Sequence, residues 1–225
     1  MDSSTSSSWV VEGKLYPFRN QRELRELVRY RRSIIDERAR QHNLIQKDLD
    51  GANIKLGSVV SDIMGVSSKD MLHAIANGED DPEKLANFAR RSMKKKKDDV
   101  ILALNGYVNP HQRMMLKTIL THIDFLTEQI EKLDQEIAQR VSMYQESIER
   151  LDSIPGIAIR MAEQILAEIG TDVEKKFESA ARLCSWAALV PGHNDSAGKR
   201  KSTRAKKGNK YKVSFNRSCS FNWSL

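Results

Sequence analysis

Aromatic residues make up only 6% of the 225-residue chain. That shortage argues against a β-sandwich, whose strands favour Phe, Tyr and Trp, and against a platform that stacks single-stranded bases. Cysteine is scarce too. Cys184 and Cys219 are the two present; they lack metal-ligand spacing and make a poor disulfide framework, which points to a reducing cytoplasm. No apolar run approaches the length needed to span a bilayer, so no membrane partner is expected. Met1-Asp2-Ser3-Ser4 has no basic stretch leading into an apolar one, so the start does not read as a secretory signal.

What the chain has is charge: 37 basic and 30 acidic residues, a formal net charge of +7. This profile predicts a soluble, helix-rich protein with a negatively charged partner. The length allows one large domain or two small ones.

The Ser/Thr-rich first eight residues read as disordered. From Gln21 a helical face appears, with Leu24, Val28, Arg31, Ile35, Arg38, His42, Ile45 and Leu49 spaced four and three apart. Gly51 is a plausible end for it. Ile54 to Gly106 predicts several short helices, punctuated by Gly65, Gly78 and the Asp80-Asp81-Pro82 turn. Lys94 to Lys97 lie within this stretch. A solvated helix face is their ordinary reading, and a phosphate contact is the alternative.

After Asn109-Pro110 comes the clearest periodicity. Leu116, Ile119, Ile123, Leu126, Ile130, Leu133, Ile137, Val141, Tyr144, Ile148 and Leu151 follow a nearly unbroken 3-4 alternation, with Glu128, Glu131, Lys132, Asp134 and Glu136 between them. This predicts a coiled-coil seam. Its partner is either the Gln21 to Leu49 helix folded back or the same helix of a second subunit.

Ser153-Ile154-Pro155-Gly156-Ile157-Ala158, with Ala162 and Ile165-Leu166 behind it, has the pattern of a helix-hairpin-helix. Pro155-Gly156 makes the tight turn, and the next helix starts at once, leaving backbone N–H groups free to face a phosphate. Such a device reads no bases. Pro155, Gly156, Ile157 and Ala158 are therefore candidate nucleic-acid contacts. An ordinary helix–turn–helix corner is the competing reading, and Ala158 stands where many such motifs have a second glycine. Beyond Pro191 the sequence turns basic, with Lys199, Arg200, Lys201, Arg204, Lys206, Lys207, Lys210 and Lys212 broken up by Gly192, Gly198 and Gly208. Placed after the hairpin, this Gly-rich basic stretch adds Gly198, Lys199, Arg200, Lys201, Arg204, Lys206, Lys207 and Lys210 to the candidates.

Several blocks taken in order resemble a known family. They are Ile154-Pro155-Gly156-Ile157, Glu168-Ile169-Gly170, Phe177, and the run from Leu183-Cys184-Ser185-Trp186 to Val190-Pro191-Gly192. Asn194-Asp195-Ser196-Ala197-Gly198-Lys199 and Lys207-Gly208-Asn209-Lys210-Tyr211 follow them. Upstream, Arg22-Glu23-Leu24-Arg25-Glu26-Leu27 and Gly51-Ala52-Asn53-Ile54-Lys55-Leu56-Gly57 extend the likeness to roughly Leu15 to Tyr211. Together they resemble the insertion-sequence 110 (116/110/902) transposases.

The resemblance implies a composite enzyme that cuts and rejoins DNA. A RuvC-like domain binds divalent metal through acidic residues, a coiled-coil region follows, and a C-terminal domain supplies a serine nucleophile. A structured guide RNA is a further implied partner. Carried over, the nucleophile is Ser196, with Ser202 as fallback and Lys199 and Arg200 as stabilising cations. Only Met1 to Lys14 precede the resemblance, so Mg²⁺ is expected on a missing RuvC-like domain and no cofactor on this chain. From Lys212 on, the sequence lacks the helical period the family would continue with, and a frameshift near Tyr211 is the expected reason.

The expected fold is mainly α. Long antiparallel coiled-coil helices precede a small helix-hairpin-helix-containing domain with a basic Gly-rich loop. The expected organisation is a disordered stub over 1–14, a helical coiled-coil region over 15–152, a transposase C-terminal domain over 153–212 and an aberrant tail over 213–225. The expected function is a DNA-binding transposase fragment, inactive alone and self-associating through the coiled coil. The alternative is a non-catalytic nucleic-acid-binding protein that joins full-length transposase or guide RNA.

Overall fold

A computed structural model of the protein describes residues 10–11, 14–15, 19–187, 195–196 and 199–200. It is mainly helical, as the periodicities predict. Two helices are long: α1, Arg19–Gly51, and α6, Pro110–Val141. Between them lie α2 (Leu56–Val59), α3 (Val66–Ala76), α4 (Pro82–Ala86), a 3₁₀ turn over Arg91–Lys96 and α5 (Lys97–Ala103). After α6 come a 3₁₀ turn over Ser142–Tyr144, then α7 (Gln145–Asp152), α8 (Ile159–Ile169), α9 (Val173–Lys176) and α10 (Ala180–Trp186). Two small antiparallel pairs complete the described residues: β1 (Val10–Val11) with β2 (Lys14–Leu15), and β3 (Asp195–Ser196) with β4 (Lys199–Arg200).

The described residues fall into two compact units. One combines the chain up to Arg31 with Leu133 onward; the other is Arg32–Lys132. In the first, Glu23 pairs with Arg140 at 2.9 Å and Arg31 with Asp134, so residue numbers fall along α1 as they rise along α6. The two helix segments are antiparallel partners within one chain. Arg31, which seemed to dilute the apolar face of α1, is there to meet Asp134. The unit's core is made by Leu24, Val28, Ile137, Val141, Ile148, Ala162, Leu166 and Ala167.

In the second unit the same antiparallel sense recurs, with the Arg38 guanidinium donating to Thr127 Oγ1 at 3.3 Å. Its core is almost wholly apolar, and Ile45, Leu49, Leu56, Met71, Leu72, Leu104, Leu116 and Leu120 are nearly sealed from solvent. Each such side chain contributes about 1.5–3 kcal/mol through burial. The short helices begin where turn chemistry puts them. Gly65 caps α3, and Asp81 caps α4 by accepting from Glu83 N–H at 2.9 Å, with Pro82 in the first turn. Gly51 closes α1, but the left-handed residue is Asn53, at φ 59°. Gly106 is required by close approach, since a Cβ there would run into the Ala52 carbonyl and the Ile54 side chain.

The seam of α6 is not one uninterrupted helix. At Val141 the α-helix gives way to the 3₁₀ turn and resumes as α7, so the Leu116 to Leu151 series crosses a change in winding. The buried positions survive it: Ile137, Val141 and Ile148 all lie in the first unit's core.

Candidate nucleic-acid interface

The hairpin predicted around Pro155-Gly156 lies in the first unit, between α7 and α8. Ser153 closes α7, its hydroxyl donating to the Arg150 carbonyl at 2.7 Å. The Ile157 N–H then donates back to the Ile154 carbonyl at 3.0 Å, closing a turn with Pro155 and Gly156 at its centre. Gly156 has φ +89°. A proline followed by a residue at positive φ meets the requirement of a type II turn, and glycine takes that conformation without strain.

Ala158 follows in extended conformation and caps α8 through its carbonyl, which accepts from Met161 and Ala162 N–H. The N–H groups of Ile159 and Arg160 lie in the helix's first turn and have no carbonyl one turn back to reach. No acidic residue occupies that turn to neutralise it. Pro155, Gly156, Ala158, Ile159 and Arg160 are all exposed, and Ile157 is half-buried against the core. The result is a solvent-facing helix start with positive dipole character, the kind of place that favours an anion. Ala162 is fully buried, and its small side chain lets α8 lie close against α7.

The rest of α8 is fixed by charge. At its C-terminal end the Glu168 carboxylate is buried, and the Arg29 guanidinium holds it through two bonds of 2.7 and 2.8 Å. Arg25 donates to the Ala167 and Glu168 carbonyls at 3.1 and 3.0 Å. Lys176 reaches the Ile169 carbonyl at 2.7 Å and Gln21 Oε1 at 3.0 Å. Three cations thus gather where the helix's orphan carbonyls and negative dipole end need them. Burial draws Arg25 below its usual pKa, opposed by Glu168, and it also draws Lys176 down, helped by nearby Arg25. Gly170 ends the helix at φ +82° and ψ −172°, a region open almost only to glycine.

Near its start, α8 is tied by Arg160, which contacts buried Glu163 at 3.1 Å and Asp134 of α6 at 3.0 Å. Asp134 is shared with Arg31. None of these positioning residues stood out in the sequence. Glu163 and Glu168 look like surface carboxylates on an amphipathic helix; Arg25 and Arg29 lie more than a hundred positions from Glu168, while Arg160 is three positions from Glu163 on the same helix. The one local cue was the Glu168-Ile169-Gly170 block.

Beyond α9, Phe177 packs edge to face on Trp186, with ring centres 5.5 Å apart, and Ser179 caps α10 by accepting from Arg182 N–H. In the β3–β4 pair, Ser196 stands opposite Lys199 and Asp195 opposite Arg200. The pairing therefore brings the candidate nucleophile position and the first two basic positions onto one short hairpin. Gly198, Lys201, Arg204, Lys206, Lys207 and Lys210 lie outside the described residues, as do Ser202 and the predicted tail. Among the described residues no three His, Cys, Asp or Glu side chains converge to hold a metal ion. Nor is any described helix long and apolar enough to cross a membrane.

Comparison with known proteins finds no match among curated proteins or solved structures. A family match does emerge, and it spans the hairpin, α8 and the basic stretch together. Residues 148–212 match the family model described as Transposase IS116/IS110/IS902 family.

Proposed function

We propose that this chain binds nucleic acid through its transposase-family segment, gripping the phosphate backbone without reading bases. The observation that carries this reading is the open start of α8. An exposed Pro-Gly turn leads into a helix whose first two residues are exposed and whose start has no side-chain cap, inside the segment 148–212. Two neutral N–H donors bind a phosphate only weakly. The basic positions from Lys199 to Lys210 add the long-range attraction and the counterion release that dominate such affinities.

DNA is the partner the family points to, with a structured RNA and self-association through the helical region as parts of the same proposal. Ser196 is the proposed nucleophile for strand cleavage and rejoining, in a composite site that also requires metal-binding carboxylates, which are not gathered among the described residues. Alone, the chain binds and does not cut, and its proposed place is the cytoplasm.

The test compares binding of a labelled DNA duplex by the full chain and by a variant with Lys199, Arg200 and Lys201 changed to Ala. The expected result is a loss of about tenfold or more at low salt. Equal affinity in the two proteins would contradict the reading.

A further inference from the structure

The cations of the second unit divide into two kinds. Most are already engaged. Arg32 meets Asp36, Arg40 meets Glu37, Lys69 meets Asp124, Arg90 meets Asp70, Arg113 meets Asp80 and Lys132 meets Glu128. The segment following Arg90 departs from this pattern. Arg91, Lys94, Lys95 and Lys96 are exposed, and none has an ion-pair or hydrogen-bond partner among the described residues.

They sit on a 3₁₀ turn, not the α-helix face that a lysine run ordinarily decorates. With three residues per turn, positions three apart eclipse, so Arg91 and Lys94 share one edge. Met93 packs toward the apolar core and anchors the turn, while Arg91 and Lys94 to Lys96 are exposed. Arg91 also holds φ +52°, a left-handed conformation that costs a non-glycine residue about 1 kcal/mol or more. The lysine cluster is thus carried on a core-anchored turn.

Beside the turn lies an open groove of about 600 Å³, lined by Asn53, Lys55, Ser58, Lys96, Asp99 and Asn105 among others. Lys55 adds a second cation to the lining beside Lys96, and the asparagines and serine bring neutral donors and acceptors. Asp99 is the acid of the lining, and Asp98 is its neighbour. Both stand in the first turn of α5, where the helix dipole engages them. Lys55 and Lys96 line the groove with Asp99, and Arg91, Lys94 and Lys95 stand on the turn beside it.

We infer that Lys55, Arg91 and Lys94 to Lys96 form a second phosphate-backbone contact surface, separate in sequence from residues 148–212. It rests on the nucleic-acid reading above and extends it to the helical region. Amide and hydroxyl groups between the cations suit a phosphodiester chain with its sugars, since each phosphate can take one charged and one neutral donor. An anionic lipid surface presents the same phosphate chemistry but gains little from a polar groove, and it enters the test as the competing outcome.

The experiment measures affinity of the full chain for a DNA duplex and for a single-stranded RNA across a salt series. The variant Lys94→Ala/Lys95→Ala/Lys96→Ala is set beside Lys117→Ala, an exposed lysine on α6. The triple variant is expected to flatten the slope of log affinity against log salt by about 2–3, and Lys117→Ala to leave it unchanged. Which of the two nucleic acids shows the larger flattening identifies the one on this surface. In the unaltered protein, bound nucleic acid is expected to shield Lys94 to Lys96 from acylation several-fold, as mapped by mass spectrometry.

An unchanged slope together with unshielded lysines would overturn the inference. So would binding of the patch to anionic vesicles with no effect on nucleic acid. If the triple variant binds as wild type while Lys199→Ala/Arg200→Ala/Lys201→Ala does not, this surface fails and the proposed function stands. If the wild-type chain binds neither nucleic acid at low salt, both fall.

Discussion

The two units solve the same problem, fixing short helices against a pair of long ones, by different means. In Arg32–Lys132 the solution is apolar. Leu72, Leu104 and Leu116 are sealed in a core with few polar groups inside it. In the other unit the helix that presents the Pro155-Gly156 turn is held at both ends by charge, through Glu168 to Arg29 and Arg160 to Asp134. Apolar packing is tolerant of small rotations; a two-point carboxylate–guanidinium contact is not. The contrast suggests that one unit is built chiefly for stability and the other for aiming a helix start.

Leu72→Ala attacks the apolar solution at its centre. The expected cost is about 2–5 kcal/mol, the range for emptying a sealed leucine site. Thermal melting gives the magnitude, and hydrogen exchange locates it, with faster exchange expected across Arg32–Lys132 before α8.

Glu168→Ala attacks the other solution. Breaking a fully buried pair costs about 3–5 kcal/mol. Because the Arg29 side chain is 33% exposed, solvent screens the interaction and the expected cost falls toward about 2 kcal/mol. A double-mutant cycle with Arg29→Ala should show coupling. Additive losses would mean that α8 is held by its apolar face alone.

Gly170→Ala probes the end of the same helix. The side-chain tips of Gln21 and Lys176 could move aside, but the backbone conformation could not, so about 1–3 kcal/mol is expected. A neutral outcome would show that the end of α8 rearranges freely.

The smallest effect is a pH dependence in the apolar unit. Burial, then Arg38, draws the His42 pKa below its ordinary value of 6.5, with Asp62 opposing. The unfolded chain therefore takes up a proton first as pH falls below 6.5, and stability drops through the window down to the folded value. His42→Gln should flatten denaturant midpoints across that window and leave them unchanged above it.

The sequence made the phases of α1 and α6 legible because burial repeats every three to four residues along each helix, from Leu24 to Leu49 and from Leu116 to Ile148. Gly65, Asp81 and Pro82 announced helix starts, since capping is local chemistry. The Pro155-Gly156 turn was legible for the same reason. What stayed hidden depends on partners distant in the chain. Glu168 is buried where Arg25 and Arg29 come to it, and its own Glu168-Ile169-Gly170 block says nothing of those distant partners. The Lys94 to Lys96 run was visible as charge, but its 3₁₀ geometry and lack of partners were not. Charge runs look alike until the acids around them are placed.

The central claim is that this chain grips a phosphate backbone through charge. The most direct test is the affinity of the full wild-type chain for a DNA duplex between about 50 and 200 mM salt, the interval over which phosphate-binding proteins show large losses. A linear fall of log affinity with log salt, with a slope of about −4 or steeper, is the predicted result. A flat dependence, or no binding at the lowest salt, would contradict it.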